Sequence, residues 1–175
     1  MRALVPAGGL GSRLRPLTQT GAKQLLPVGN KPIIHYVLED IRDAGITDVV
    51  VLVGTETAAG ITANLKDGSE WGLEIQYVHQ DQPLGLAHCV ITAEEHLRGD
   101  SFVMYLGDNL LEGGISEYVV EFKAGTSKVN ASAPPWPKEL ETSTLIFHSP
   151  VEPRFIRTSY RSRSAGELRA VAHPS

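Results

Sequence analysis

Gly8, Gly9 and Gly11 fall within four positions, directly behind the apolar run Ala3-Leu4-Val5, and Arg13, Arg15 and Lys23 follow on the same stretch. An apolar run feeding a glycine cluster reads as a strand entering a loop whose backbone must approach something closely. Free backbone N–H groups and fixed cations at a strand end suit a polyphosphate. A glycine-rich surface turn with solvated basic residues is the plainer alternative. A dinucleotide loop of the G-x-G-x-x-G type fits less well. Its third glycine position, counted from Gly9, is Leu14, and the strand Val49–Val53 runs into Gly54-Thr55 where an acidic residue is expected. No Gly-Lys-Ser/Thr follows the glycines, so a Walker-type loop is excluded.

Two further stretches carry candidate chemistry. In His79-Gln80-Asp81-Gln82-Pro83-Leu84-Gly85-Leu86-Ala87-His88, the Gln80 amide can donate and accept at once, as the edge of a nucleobase requires. Pro83 stiffens the loop and Gly85 admits a close flat ring; an ordinary polar loop is the alternative. Asp108 follows the apolar stretch Phe102–Leu106 and Gly107. It reads either as a turn former or as a hard oxygen ligand, since Mg²⁺ takes one or two carboxylates together with phosphate oxygens and water. His35, His79, His88 and His96 lack ligand spacing and read as structural or exposed. Cys89, the only cysteine, reads as a small buried hydrophobe.

The elements that must position these residues alternate. Asn30-Lys31-Pro32 reads as a helix start with Pro32 at the first helical position, and Ile33, Ile34, Val37, Leu38 and Ile41 give one apolar stripe ending at Gly45. Asp48–Val53 reads as a strand buried on both faces. A weaker helix over Thr57–Lys66, a strand over Leu73–Val78, a helix over Leu86–Leu97 and a strand over Phe102–Leu106 follow. Such alternation makes an α/β fold with a mostly parallel sheet, whose ligands sit beyond the carboxyl ends of the strands. The glycine loop, the segment after Val78 and Asp108 all fall there.

The stretch Gly8-Gly9-Leu10-Gly11-Ser12-Arg13-Leu14-Arg15-Pro16-Leu17-Thr18, with Ala22-Lys23-Gln24-Leu25-Leu26-Pro27-Val28 and Asn30-Lys31-Pro32, resembles the signature of sugar-1-phosphate nucleotidyltransferases. It is most similar to the glucose-1-phosphate thymidylyltransferases. Ser12 stands where Thr is usual and keeps the hydroxyl; Pro6 replaces a small or aliphatic residue and removes one strand N–H. The resemblance implies a Rossmann-like sheet flanked by helices, of the nucleotide-diphospho-sugar transferase type. It implies transfer of a nucleoside monophosphate, dTMP from dTTP, to a sugar 1-phosphate such as glucose 1-phosphate, with pyrophosphate released. By that resemblance Gly8, Gly9, Gly11, Ser12 and Gln24 bind the nucleotide, Gln80 and Gly85 its base, Arg13 and Lys23 serve catalysis, and Asp108 holds Mg²⁺.

The resemblance runs from about Arg2 to Lys123 or Ala124, which implies a nucleotide-binding domain over 1–124 and a divergent tail over 125–175. The family's sugar-binding half, with its Glu-Lys-Pro segment and second metal-binding aspartate, has no counterpart, and no aspartate follows Asp108. Residues 1–124 carry 9 Lys+Arg against 16 Asp+Glu, whereas 125–175 carry 7 against 4 and six of the eleven prolines. Only Leu145-Ile146-Phe147 there resembles a strand. The expectation is a disordered tail and a fold incomplete at its C-terminal side, from a truncated or frame-shifted product, with weak or no turnover. A nucleotide-binding module without catalysis and a non-functional fragment are the alternatives. The family allows a homo-oligomer, which truncation would compromise.

The 175 residues suffice for one domain with a sizeable core, and 42% hydrophobic with 21% charged residues is ordinary for a globular chain. A net charge of −4 speaks against a nucleic-acid or anionic-membrane binder. With no bilayer-spanning apolar stretch and no signal-like start at Met1-Arg2-Ala3-Leu4, the expected location is the cytoplasm.

Overall fold

The computed structural model describes residues 1–9, 21–82, 84–124, 145–148 and 156–158. A six-stranded sheet organises them. It is built from β1 (Arg2–Pro6), β4 (Asp48–Gly54), β5 (Glu74–Gln80), β6 (Phe102–Tyr105), β7 (Leu145–His148) and β8 (Ile156–Thr158), in the order β5-β4-β1-β6-β7-β8. The first four strands run parallel. The last two are antiparallel. The short strands β2 (Pro27–Val28) and β3 (Lys31–Pro32) form a separate antiparallel pair.

Both faces of β1, β4 and β6 are covered, which is why they read as continuous apolar runs, whereas β5, at the sheet edge, mixes buried and exposed positions. On one face Ala3, Val5, Val49, Val51, Val53, Val103 and Tyr105 pack with Ile34, Val37, Leu38 and Ile41 of α1 (Ile33–Asp43), Ile61 and Leu65 of α2 (Ala58–Leu65), and Val119 of α5 (Ser116–Lys123). On the other, Leu4, Val50, Leu52, Phe102 and Met104 meet Cys89 of α3 (Leu86–Thr92), Ala93, and Leu97 of α4 (Glu94–Leu97). No helix among the described residues is long and apolar enough to cross a membrane.

Several elements differ from the sequence reading. Pro32 caps α1 from outside, with φ −53° and ψ 142°, because Lys31–Pro32 is already paired as β3. The helix stops as expected: Gly45 takes φ 72°, its N–H reaches the Arg42 carbonyl at 2.8 Å, and the Ile46 N–H reaches that of Ile41 at 3.2 Å. β5 runs two residues past Val78, since His79 and Gln80 pair with Val53 and Gly54. The helix expected over Leu86–Leu97 breaks into α3 and α4 at Ala93, whose φ −92° and ψ 4° leave the helical basin. Of the tail, Leu145–His148 and Ile156–Thr158 are strands of the main sheet rather than disordered, the second unanticipated. The rest of the expected disorder, over 125–144, 149–155 and 159–175, lies outside the described residues.

Candidate functional site

The carboxyl ends of β1, β4, β5 and β6 lie along one rim of the sheet, and the candidate residues gather there in two groups. The first lies between β1 and β6. Gly107, after β6, gives its N–H to the Pro6 carbonyl at 3.1 Å, locking the two strand ends together. Gly8 is pressed against β4: a Cβ on Gly8 would stand 3.1 Å from the Gly54 nitrogen, and one on Gly54 would stand 3.0 Å from the Gly8 carbonyl oxygen. Gly8 therefore sets the position of its loop by backbone contact, whatever else the loop binds.

Lys23 opens a 3-10 turn over Lys23–Leu25 and its side chain crosses Gly9, where a Cβ would lie 3.0 Å from the lysine Cε. Its Nζ meets Asp108 Oδ2 at 2.5 Å, with both side chains 28% exposed. Gln24, 1% exposed, is wedged between Gly9 and Gly107. Its Oε1 has no hydrogen-bond partner among the described residues. An unmatched buried carbonyl costs on the order of 1–3 kcal/mol, a cost that a bound group supplying the missing donor would remove.

The floor under Asp108 is fixed from α1. The buried Tyr105 hydroxyl donates to Asp40 Oδ2 at 2.9 Å and lies 3.5 Å from the Asn109 carbonyl. Gly114 (φ 68°) closes the same loop over Asp40, leaving a Cβ only 2.9 Å from Oδ1. Burial raises the Asp40 carboxyl above its ordinary value despite the tyrosine. Burial, then the Asp40 charge, pushes the Tyr105 phenol up in turn. Sequence reasoning missed this pair, since nothing at positions 40 and 105 signals a contact across 65 residues.

The second group lies at β5 and α3. Gln80 ends β5 as a buried residue, not within the following loop. Gly85 precedes α3 with φ 95°, a conformation open to glycine, and its carbonyl accepts the Cys89 N–H at 3.3 Å. The Gln80 amide nitrogen lies 2.8 Å from His88 Nδ1. His88 thus has a partner at the candidate site, while His35 pairs with Asn64 at 2.6 Å and His96 with Gln76 at 3.0 Å. Cys89 is buried, as expected, and burial pushes its thiol pKa up.

Lys23, Gln24, Gly9 and Asp108 thus come together, and so do Gln80 and Gly85. Gly11, Ser12 and Arg13 lie outside the described residues. From β5 to β6 is three strand spacings, about 14 Å. An extended nucleotide laid along the rim would put its base at one group and its phosphates at the other. No group of three or more His, Cys, Asp or Glu placed to hold a metal ion occurs among the described residues. Asp108 alone fits a Mg²⁺ whose remaining ligands are phosphate oxygens and water, and does not make a resident metal cage.

Known proteins resemble this chain in sequence and in fold. The chain is 55% identical over 124 residues to the glucose-1-phosphate thymidylyltransferase of Streptomyces griseus, a match covering 71% of this chain and 35% of that protein. It is 54% identical over 125 residues to that of Streptomyces antibioticus, with the same coverage of each. The chain therefore spans about a third of the length of these curated relatives. A solved Bacillus anthracis protein assigned as a glucose-1-phosphate thymidylyltransferase, in complex with a sucrose, superposes with a TM-score of 0.69 at 29% identity, over 90% of this chain and 68% of that one. The family model described as nucleotidyl transferase matches residues 2–143, past Ala124 where the sequence resemblance was expected to stop. With most of the chain under that one model and its sheet superposing on a solved relative, the chain belongs to the nucleotidyl transferase family.

Proposed function

We propose that the chain forms the nucleotide-binding part of an enzyme that joins dTMP, from dTTP, to glucose 1-phosphate and releases pyrophosphate. The observation that carries the reading is the meeting of Lys23 and Asp108 at 2.5 Å beside Gly9, beyond the joined ends of β1 and β6. A sugar-phosphate oxygen would attack the α-phosphorus while the bond to the β-phosphate oxygen breaks, and the electron pair leaves with pyrophosphate. Little covalent chemistry falls to the protein, so positioning and charge supply the rate.

Gly8, Gly9, Gly11 and Ser12 would line the phosphates, with Arg13 clamping the departing pyrophosphate. Lys23 would neutralise charge near the α-phosphorus. A triphosphate there would compete with Asp108 for Lys23, and Asp108 is the residue that would hold Mg²⁺. Bound there, Mg²⁺ would offset charge on the attacking and leaving oxygens. Gln24 would turn its unmatched Oε1 to a nucleotide hydroxyl, and Gln80 and Gly85 would meet the base. Residues 1–124 form the nucleotide domain in this reading, and the cytoplasm, with its nucleoside triphosphates, is the setting.

Thermal unfolding with Mg²⁺ tests it. A hundredfold excess of dTTP over its Kd stabilises a binding chain by about 2.7 kcal/mol, a rise of roughly 5–10 °C. A midpoint that ignores dTTP overturns the reading. Nucleotide binding without turnover is the alternative outcome that the same chain can be tested for. Pyrophosphate release from dTTP and glucose 1-phosphate supports the enzyme; stabilisation without release supports the module.

A further inference from the structure

The Gln80 side chain is held from behind by two successive residues of α3. Its Nε2 lies 2.8 Å from His88 Nδ1 and 3.5 Å from Cys89 Sγ. The Cys89 sulfur has the Gly85 carbonyl at 3.5 Å, nearer than Gln80 Oε1 at 3.8 Å. Burial keeps that thiol protonated, so its proton goes to Gly85 and its lone pairs face the amide nitrogen. The Thr92 hydroxyl spends its proton on the His88 carbonyl at 2.8 Å and offers Nδ1 only lone pairs from 3.5 Å. With nitrogen toward α3, both amide N–H groups find acceptors; with oxygen there, the amide would have to draw the thiol proton away from the Gly85 carbonyl at an equal 3.5 Å and would need a proton on His88 Nδ1.

A neighbouring pair on the same strand shows the opposite choice. Gln76 turns its Oε1 to His96 Nδ1 at 3.0 Å, an orientation that pairs with a proton on Nδ1. A histidine beside a glutamine does not by itself decide which way the amide points. The second acceptor, Cys89, does so at Gln80.

We propose that His88 is a positioning residue that pins the Gln80 amide nitrogen to α3, leaving Oε1 as the group that meets the base and selecting bases whose ring nitrogen donates a proton. Uracil and thymine carry N3–H; cytosine offers a bare N3 lone pair that repels the same oxygen. A free glutamine amide can turn over and read either edge. A pinned one reads one. The inference rests on the reading of Gln80 as a base contact.

Two measurements test it. In the unaltered chain labelled with ¹⁵N-histidine, neutral His88 is expected to carry its proton on Nε2, with Nδ1 bare. His96, expected to be protonated on Nδ1, serves as the internal reference. A proton on Nδ1 of neutral His88 overturns the proposal with no nucleotide present. The second compares affinities for dUTP and dCTP, which differ only at the reading edge. His88→Leu is expected to cut the dUTP preference about tenfold, the range of one misplaced buried hydrogen bond. His88→Asn, which puts an amide oxygen near the place of Nδ1, should restore it. An unchanged preference in His88→Leu, with its fold confirmed by thermal unfolding, overturns the proposal. Gln80→Ala separates the layers. If it leaves dUTP binding intact, the base-contact reading itself fails; if it weakens binding while His88→Leu keeps the preference, only the pinning fails.

Discussion

The two ends of the rim are built on opposite principles. Between β1 and β6, Lys23 and Asp108 form an ion pair open to water, beside a buried glutamine oxygen with no described partner. At β5, the Gln80 amide is buried, neutral and held by His88 and Cys89. The first end holds groups whose present partners a ligand can replace: a partly exposed ion pair contributes little to stability, so exchanging it for phosphate costs little. The second has its donors already committed, and so can discriminate. On the proposed reading, strength of binding and choice of base fall to different ends of one sheet.

Removing the charge from the first end should have the largest effect. Lys23→Met is expected to weaken dTTP binding roughly 10–100-fold, the range for a hydrogen bond to a charged group. The loss should shrink as salt rises, because the lysine's contribution is screened. Gln80→Ala should cost about tenfold and respond little to salt. Titrations at two ionic strengths check both, and equal salt dependence of the two losses would erase the contrast between the ends.

A smaller effect is expected beneath the charged end. Tyr105→Phe leaves the half-buried Asp40 carboxylate without its hydroxyl donor and should lower stability by about 1–2 kcal/mol, measured by denaturant unfolding. An unchanged midpoint would mean that water replaces the phenol and that α1 does not hold the Asp108 loop.

The smallest effect is a pH dependence. Burial raises the Asp40 carboxyl above 3.8, so the native chain keeps this proton to higher pH than the unfolded one. The stability this gives is complete below the unfolded pKa and is lost as pH rises through the native value. Asp40→Asn removes the loss, so the variant should gain on the unaltered chain from about pH 4 to pH 7. Melting curves across that range check it, and parallel curves would overturn the assignment.

The parts legible in the sequence were those with a local cause. The glycine cluster, the Val49–Val53 run and the α1 stripe declare themselves because burial on a strand or a helix has a period. Gly45 announced a helix end through its own backbone. The extension of β5 to Gln80 was hidden because His79 and Gln80 are polar, and only their pairing with Val53 and Gly54 makes them strand. The break at Ala93 was hidden too, because alanine is the best of helix formers and both flanks follow the helical pattern. At the site, Lys23 and Asp108 were each readable as polyphosphate and metal chemistry, but their contact depends on Gly107 docking on Pro6. The bond from His88 to Gln80 joins two motif residues whose facing geometry exists only once α3 packs on β5.

The place of β1 in the sheet bears on how the chain is made. Arg2–Pro6 leaves a ribosome before the other strands described, yet it lies between β4 and β6: Ala3 pairs with Val49 on one side and Val103 on the other. β4 and β5 are much nearer in sequence and can pair while synthesis continues. β1 can pair with β4 on one side once Asp48–Gly54 is made, but its other edge stays bare until the Phe102 region emerges, and such long-range closure is slow. For that interval Leu4 and Val5, wholly buried in the finished sheet, lie open to other chains. A nascent chain paused before β6 is therefore the form of this protein most exposed to aggregation and most in need of a chaperone.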